Sequence, residues 1–189
     1  GVDFAAWCSY KYMNSGPGNA SGCFVHEQYH KKTDIPRFEG WWGHNKERRF
    51  LMEPEFQPEP TAHAWQISNA PILALAPYLA SLELFEEVGM PALIEKRNKI
   101  VAYLEFILQE VAKEVGGNFE IITPTERGTQ LSVFLHGHGK ELFNYLMEQG
   151  VITDWREPNV IRLAPAAFYC SFEDMYRFGQ VLKRYFVKE

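Results

Sequence analysis

A lysine near the start of the chain is the first residue whose neighbours indicate chemistry. Lys11 follows the run Phe4-Ala5-Ala6-Trp7-Cys8-Ser9-Tyr10, which is too apolar for a surface strand. A lysine there is either an edge residue whose ammonium reaches water or a desolvated amine. Desolvation disfavours the ammonium, and the neutral amine forms imines with aldehydes. The segment from Asn14 to Gly22 is rich in small residues, which indicates either a turn or a backbone that lies close to a ligand.

A second pattern with chemical meaning is His26-Glu27-Gln28-Tyr29-His30, which matches the H-E-x-x-H motif of zinc proteases. On a long helix this spacing places two imidazoles on one face, where both can bind zinc. Here the motif follows the strand-like run Cys23-Phe24-Val25, and Pro36 comes soon after it, so there is little room for such a helix. We interpret the motif as the end of a strand followed by a polar surface turn, and we expect no metal site.

The composition favours a globular protein. The chain has 189 residues, of which 46% are hydrophobic and 23% charged, values that exclude a disordered, collagenous or coiled-coil protein. The formal charge of −5 gives no broad attraction for nucleic acid or anionic lipid. We expect neither nucleic acid nor a membrane as a partner.

The cysteines indicate the redox environment of the protein, and its first residues suggest that the chain is part of a longer one. Three cysteines without a C-x-x-C pair exclude a disulfide framework or a zinc ribbon, and they predict a reducing, cytoplasmic environment. No apolar run reaches the roughly 18 to 20 residues that span a bilayer. The chain opens with Gly1 rather than Met and lacks the basic region of a signal peptide, so we expect it to be cut from a longer protein.

The composition changes near residue 80 and divides the chain into two predicted domains, 1–80 and 81–189. The first part holds seven of the prolines and four of the five tryptophans, which predicts loops and short strands. The second part has helical and then alternating periodicity. The patterns predict helices over 72–88, 91–115, 140–149 and 171–187, and strands over 119–122, 130–135, 151–154 and 160–164. Ser68 or Asn69 is the expected cap of the first helix, and Ser171 to Asp174 matches a capping box that opens the last one.

The element order ααββαββα predicts an α+β sandwich, a small sheet covered by helices. On the inner face of the last helix we expect Met175, Leu182, Tyr185 and Phe186.

Four segments carry a resemblance to a known family: 7–18 (WCSYKYMNSGPG), 36–44 (PRFEGWWGH), 67–69 (ISN) and 160–165 (VIRLAP). Together they resemble kynureninase, a pyridoxal-phosphate enzyme of fold type I. The resemblance covers essentially the whole chain, but only about the C-terminal half of a family member. It implies an α/β fold of the fold-type I transferase class, with the end of the large pyridoxal-phosphate domain at residues 1–80 and a small C-terminal domain at 81–189.

The resemblance also implies roles for individual residues. Lys11 matches the lysine that forms the internal aldimine with pyridoxal 5'-phosphate, and Tyr10 matches a tyrosine that contacts the phosphate and takes part in proton transfer. Trp41 and Asn69 match cofactor-contacting positions contributed across the interface of a homodimer. Arg162 matches the arginine that binds the α-carboxylate of the substrate, for which a planar guanidinium is suited. His44 lies in the same motif as Trp41 and is given only a supporting role in substrate binding.

The implied activity is hydrolysis of the Cβ–Cγ bond of L-kynurenine or 3-hydroxykynurenine, giving anthranilate or 3-hydroxyanthranilate and L-alanine. This is a step of tryptophan catabolism, in the kynurenine pathway that leads to NAD. In the family, the aspartate that pairs with the pyridinium nitrogen and the phosphate-binding residues precede the lysine. We therefore expect the isolated chain to be inactive without the N-terminal half. Without that half we also expect exposed aromatic side chains at Trp7, Phe24, Trp41, Trp42 and Trp65.

Two alternatives to a kynureninase stay open at this point. The chain could be a non-catalytic interaction fragment, or part of another fold-type I enzyme such as a relative of the cysteine desulfurases. The segment Gly40-Trp41-Trp42-Gly43-His44 disfavours the desulfurase.

Overall fold

The structure is a computed structural model that describes residues 1–187. The chain forms two compact units: the N-terminal unit comprises Gly1–Glu87, and the C-terminal unit begins at Val88. No helix in the described part of the chain is both long enough and apolar enough to cross a bilayer.

The N-terminal unit consists mainly of loops, as its proline content predicts. Strands β1 (Phe4–Trp7) and β2 (Gly22–Val25) form an antiparallel ribbon in which Phe4 pairs with Val25. Three short 3-10 helices follow, at Glu27–Tyr29, Arg49–Leu51 and Ala62–Trp65, and then helix α1, Ile72–Val88. The buried apolar side chains of this unit are Val25, Ala64 and Phe85, which make a small core.

Helix α1 begins later than its predicted caps. The backbone N–H groups of Ala74 and Leu75 both donate to the carbonyl oxygen of Pro71, at 3.0 Å each. The prediction that Ser68 or Asn69 caps the helix is therefore wrong. The fixed backbone angle and missing donor of proline suit it to the position where a helix starts. The helix then continues through Pro77 to Val88, which are the bounds predicted for it.

The C-terminal unit is an antiparallel sheet with helices on one face. Its elements are α2 (Met90–Val115), β3 (Phe119–Ile121), β4 (Leu131–Leu135), α3 (Glu141–Glu148), β5 (Asp154–Arg156), β6 (Val160–Leu163) and α4 (Phe172–Val187). The strands lie in the order β3-β4-β6-β5. With α1, this confirms the predicted order ααββαββα and the α+β sandwich.

The core of the C-terminal unit lies between the helices and one face of the sheet. Burial alternates along β4 and β6, so that Leu131, Val133 and Leu135 point into the core with Ile161 and Leu163. Helices α2, α3 and α4 cover that face with one continuous apolar cluster. The opposite face carries the intervening side chains, which are only half-buried. Arg162 is one of them.

On α4 the predicted inner face is confirmed. Met175 and Leu182 are buried, and Tyr185 and Phe186 are partly buried against the same cluster.

Strand β5 begins three residues later than predicted. We expected Val151 to Asp154, but the strand runs from Asp154 to Arg156. The backbone N–H of Val151 donates to the carbonyl of Leu146 at 2.9 Å, so this residue closes the turn after α3 instead of joining the sheet. Arg156 pairs with Val160 across a short connection, which fixes where the strand lies.

Candidate functional site

Lys11 lies on a loop after the first strand. Strand β1 ends at Trp7, the chain then turns, and the backbone N–H of Asn14 donates to the carbonyl of Lys11 at 3.2 Å. The Lys11 side chain is exposed, with its Nζ 5.9 Å from the centroid of the Tyr10 ring. Within residues 1–187 it forms no ion pair, so the amine is accessible.

The exposure of this region corrects one expectation. The run from Phe4 to Tyr10 was predicted to be too apolar for a surface strand, yet Phe4 is 48% and Trp7 43% exposed. The reason is that β1 pairs only with β2, and a two-stranded ribbon cannot cover both of its faces. Of the two alternatives for Lys11, the structure therefore has the solvent-reaching one and not the desolvated one.

Two buried serines hold the Lys11 loop in place. The hydroxyls of Ser9 and Ser15 lie 2.8 Å apart and are shielded from solvent, and the N–H of Ser15 donates to the carbonyl of Ser9 at 3.2 Å. The Ser9 hydroxyl also donates to the carbonyl of Ala20 at 2.5 Å. These bonds join the residues on either side of Lys11, so they restrain its backbone. The sequence analysis missed both serines, whose small polar side chains give no periodic signal.

The glycine-rich segment after Lys11 is a turn, one of its two predicted alternatives. Gly16 and Gly18 have φ angles of +84° and +78°, which favour glycine. The Asn19 amide donates to the carbonyl of Ser15 at 3.0 Å and to that of Ala74 in α1. The turn is thereby attached to the helix behind it.

Tyr10 is exposed next to Lys11. A side-chain hydrogen bond to Cys8 raises the pKa of its hydroxyl above the ordinary value, because the bond stabilises the protonated phenol. The phenol is protonated at neutral pH, as an ordinary tyrosine is, and the raised pKa makes it a weaker acid than a free tyrosine.

Two further predicted segments lie side by side. Residues 40–44 form a tight turn in which the N–H of His44 donates to the carbonyl of Gly40 at 3.2 Å. A side chain at position 40 would overlap the backbone of Ile67, and a Cβ at Gly43 would lie 2.6 Å from the carbonyl oxygen of Ala64. The two glycines thus allow the turn to pack against residues 64–67.

This packing joins a tryptophan to Asn69. The indole N–H of Trp42 donates to the amide oxygen of Asn69. Trp41 packs edge-on against Phe50, with ring centroids 5.2 Å apart. Of the two tryptophans in the motif, the one that contacts Asn69 is therefore Trp42, which the sequence analysis did not assign to the site.

A buried arginine supports this turn. Arg49 is 7% exposed, and its Nη2 donates to the carbonyls of His44 at 2.8 Å and Trp42 at 3.4 Å. Its guanidinium lies 5.1 Å from the Trp42 ring centroid and 6.0 Å from that of Trp41. Arg49 is not among the predicted site residues, because Arg48-Arg49 looks like an ordinary charged surface pair. No pattern in the sequence distinguishes the buried member.

His44 is held by the same part of the fold. Its Nδ1 accepts from the backbone N–H of Gln57 at 3.5 Å, and its ring lies 5.5 Å from that of Phe56. Its Nε2 is buried and has no hydrogen-bond partner in the described chain. The His44 ring is thus oriented by Gln57 and Phe56, with its Nε2 shielded from solvent.

Arg162 belongs to the C-terminal unit, on β6. Its Nη2 forms an ion pair with the carboxylate of Asp154, the residue opposite it on β5. The Nε of the same guanidinium is buried without a hydrogen bond to any described residue. The sequence analysis did not identify Asp154, although two residues that pair on neighbouring antiparallel strands project from the same face.

The H-E-x-x-H pattern lies where its context indicates, at the end of β2 and in a short 3-10 turn. His26 Nδ1 accepts from the N–H of Gln28 at 3.2 Å, and His30 Nε2 lies 2.9 Å from the carbonyl oxygen of Val25. Both imidazoles thus bond to the local backbone, which confirms the prediction of a strand end followed by a turn.

The predicted site residues thus fall into three groups. Trp41, His44 and Asn69 belong to one network with Trp42 and Arg49. Tyr10 and Lys11 lie together on a second loop of the same unit. Arg162 lies in the other unit.

Comparison with known sequences identifies close relatives. Residues 96–182 match the family model of the kynureninase C-terminal domain. The chain is 85% identical over 97% of its length to a kynureninase of Christiangramia forsetii and 73% identical to one of Flavobacterium psychrophilum. It spans 44% of the length of each of these relatives. The resemblance seen in the four motifs is confirmed.

Comparison with solved structures supports the fold class. The chain superposes on part of the cysteine desulfurase CsdA from Escherichia coli with a TM-score of 0.72 and 14% identity, covering 97% of this chain and 46% of that one. An alanine–glyoxylate aminotransferase from Nostoc gives a TM-score of 0.60 and 18% identity, covering 97% of this chain and 48% of that one. At this identity the likeness is one of fold, and it confirms the predicted fold-type I α/β class.

Proposed function

We propose that this chain, which is similar over nearly its full length to kynureninases, is the C-terminal part of such an enzyme. The reaction is hydrolytic cleavage of the Cβ–Cγ bond of L-kynurenine or 3-hydroxykynurenine, giving anthranilate or its 3-hydroxy form and L-alanine. The 85% identity to a curated kynureninase carries this proposal. The cysteine desulfurases of known structure that resemble this chain are 14% identical to it, which is a likeness of fold alone.

The residues of the Lys11 loop fit pyridoxal 5'-phosphate as the cofactor. An aldehyde needs a primary amine that is accessible and not engaged with a carboxylate, and Lys11 has both properties within the described chain. Lys11 would hold the cofactor through its Nζ, with the Tyr10 hydroxyl beside it. When bound, this cofactor supplies an electron sink for negative charge at the carbon next to the amino group.

The other proposed site residues bind and orient. The Arg162 guanidinium binds the α-carboxylate of the substrate through two parallel hydrogen bonds. The Tyr10 side chain lies beside Lys11, and its hydroxyl donates a proton near the reacting carbon. Trp41 and Asn69 contact the cofactor, Trp42 fixes the orientation of the Asn69 amide, and His44 supports substrate binding.

The assembly that we propose is larger than this chain. Residues 1–80 would form the end of the large cofactor-binding domain, and residues 81–189 the small C-terminal domain. Trp41 and Asn69 would act across the interface of a homodimer. The three free cysteines are compatible with a cytoplasmic enzyme. The activity requires the N-terminal half, because residues that protonate and bind the cofactor in the family precede Lys11.

The test uses the complete polypeptide that contains this sequence. We expect pyridoxal phosphate to produce a yellow absorbance band and anthranilate to form from kynurenine, and the variant Lys11→Ala to lose both. Lys31→Ala, which removes another exposed lysine, is the matched control and should retain both. The isolated 189-residue chain should release no anthranilate above its own Lys11→Ala variant. The proposal would be refuted if the complete Lys11→Ala protein kept the absorbance band and the turnover. It would also be refuted if the main activity of the complete protein were sulfide release from cysteine.

A further inference from the structure

We propose that Asp154 is a positioning residue that orients the guanidinium of Arg162 for the carboxylate of the amino-acid substrate. This inference rests on the proposed function, in which Arg162 binds that carboxylate. It adds a residue that acts through the arginine without contacting the substrate.

The strand pairing places the two side chains together. Asp154 on β5 is directly opposite Arg162 on β6, and its Oδ2 accepts from Nη2 of the arginine. The other carboxylate oxygen, Oδ1, accepts from Nη1 of Arg156 at 3.0 Å. Asp154 is therefore held between two arginines, and it contacts each through a different oxygen.

This pair lies on the sheet face that the helices leave open. Ile161 and Leu163, the neighbours of Arg162 along β6, point into the core, so Arg162 projects from the opposite face. The Arg162 side chain is 30% exposed and that of Asp154 42%. A partly shielded guanidinium remains within reach of a ligand, and an ion pair there is less screened than one on an open surface.

The arginine has donors left after pairing with Asp154. A guanidinium carries five N–H groups, and the bond to Asp154 uses one nitrogen, Nη2. The Nε is buried and has no hydrogen bond to any described residue. Asp154 thus fixes the guanidinium through Nη2, and Nη1, which bonds no residue within 1–187, stays free for a second carboxylate.

Asp154 could instead compete with the substrate, and the two roles predict opposite changes in KM. As a competitor, its negative charge would occupy the arginine and repel the substrate, so removing it would lower KM. As a positioning residue, it keeps the long Arg162 side chain ordered before the substrate binds. Without Asp154 this ordering would have to occur on binding, at a cost in conformational entropy, so its removal raises KM. We expect the second result, because the guanidinium has enough donors for both carboxylates.

The test measures kcat and KM for kynurenine in the complete enzyme. We expect Asp154→Ala to raise KM about ten-fold with little change in kcat, the size expected for loss of one charge-assisted hydrogen bond. Asp154→Asn, which keeps the shape and one acceptor, should raise KM less. The matched control is Glu120→Ala, which removes an exposed carboxylate from β3, the strand at the other edge of the same sheet, and should leave KM unchanged. An unchanged or lower KM in Asp154→Ala would overturn the inference.

A double-variant comparison separates this inference from the proposed function. Arg162→Ala should raise KM strongly, and Asp154→Ala combined with Arg162→Ala should raise it no further, since Asp154 acts only through the arginine. An additive rise would overturn the positioning role and leave the function intact. If Arg162→Ala itself has no effect on KM, the assigned role of Arg162 fails, and the positioning role fails with it. A cofactor absorbance band equal to wild type would show that each variant is folded.

Discussion

Arg49 is a buried cation whose hydrogen-bond acceptors are backbone carbonyls. It donates to the carbonyls of Trp42 and His44 and lies near both indoles of the Trp41-Trp42 pair. Taking a charge out of water is costly, and aromatic faces and oriented carbonyls offset only part of that cost. A residue kept in such a place has a structural task, which here is to hold the turn that carries three proposed site residues.

Replacing Arg49 should destabilise the N-terminal unit. Arg49→Met keeps much of the volume but leaves two carbonyls without their donor, and we expect a loss of about 2 kcal/mol in the free energy of unfolding. Urea unfolding followed by tryptophan fluorescence measures it, since four of the five tryptophans lie in this unit. Arg48→Met is the control: Arg48 forms an exposed ion pair with Glu53, so its loss should destabilise the unit clearly less than the loss of Arg49. Equal losses for the two variants would contradict the role given to Arg49.

Single residues also show what a sequence can predict about a site. Lys11 was found because an apolar run, a lysine and a glycine-rich segment are an uncommon combination. Arg49 and Asp154 could not be predicted, because their roles depend on contacts with residues that are distant in sequence or on a neighbouring strand. Even the solvent exposure of Lys11 could not be predicted, since it depends on what covers the first strand.

At the scale of elements, the start of α4 shows how a local sequence sets both structure and acid response. Ser171 Oγ accepts from the N–H of Asp174 at 3.1 Å, and Asp174 Oδ2 accepts from the N–H of Ser171 at 2.7 Å. The predicted capping box is thus confirmed. The Ser171 hydroxyl also donates to Oδ2, and this bond is the main reason that the pKa of Asp174 lies below its ordinary value.

The lowered pKa predicts a pH-dependent stability contribution. It is fully present above the unfolded-state pKa, about 4, and is lost as the pH falls through the folded-state pKa. Asp174→Ala should therefore lower the melting temperature at pH 7, and its difference from the unmodified chain should shrink toward pH 3. Circular dichroism melts at several pH values measure this. Glu173→Ala, which removes a carboxylate that pairs with the exposed Arg177, is the control. A difference that stays constant down to pH 3 would exclude the capping carboxylate as its cause.

Elements with a strong local signal were predicted well, and those fixed by pairing were not. Helix α2 follows from apolar residues every three or four positions, with the left-handed Gly116 at its end. Strand β5 was misplaced because Val151 and Ile152 have the composition of a strand, whereas the pairing of Asp154 with Arg162 decides its position. Register depends on the partner strand, which a local pattern does not contain.

At the scale of the whole molecule, the N-terminal unit exposes aromatic side chains. The exposed fractions of Phe24 and Trp41 are 44% and 45%, and Trp7 and Trp42 are also exposed, as expected for a part that has lost its cover. Trp65 departs from this expectation. It is half-buried because the Arg37 guanidinium lies 4.2 Å from its ring centroid and Phe4 packs edge-on against it. Exposed aromatic side chains in this number are typical of surfaces that contact another segment or molecule.

The unequal cores predict unequal resistance to proteolysis. The C-terminal unit holds a continuous buried cluster from Ile100 to Leu182, whereas Val25, Ala64 and Phe85 are the buried apolar residues of the N-terminal unit. Local opening requires less free energy where few apolar side chains are buried, so cleavage should begin in the N-terminal unit. Limited trypsin digestion of the 189-residue chain, followed by mass spectrometry, should first remove peptides that precede Val88 and leave a resistant fragment containing α2 to α4. Digestion after urea unfolding is the control, because both units should then disappear at the same rate. If both units also disappear together in native buffer, the C-terminal unit does not hold its fold independently of the N-terminal unit.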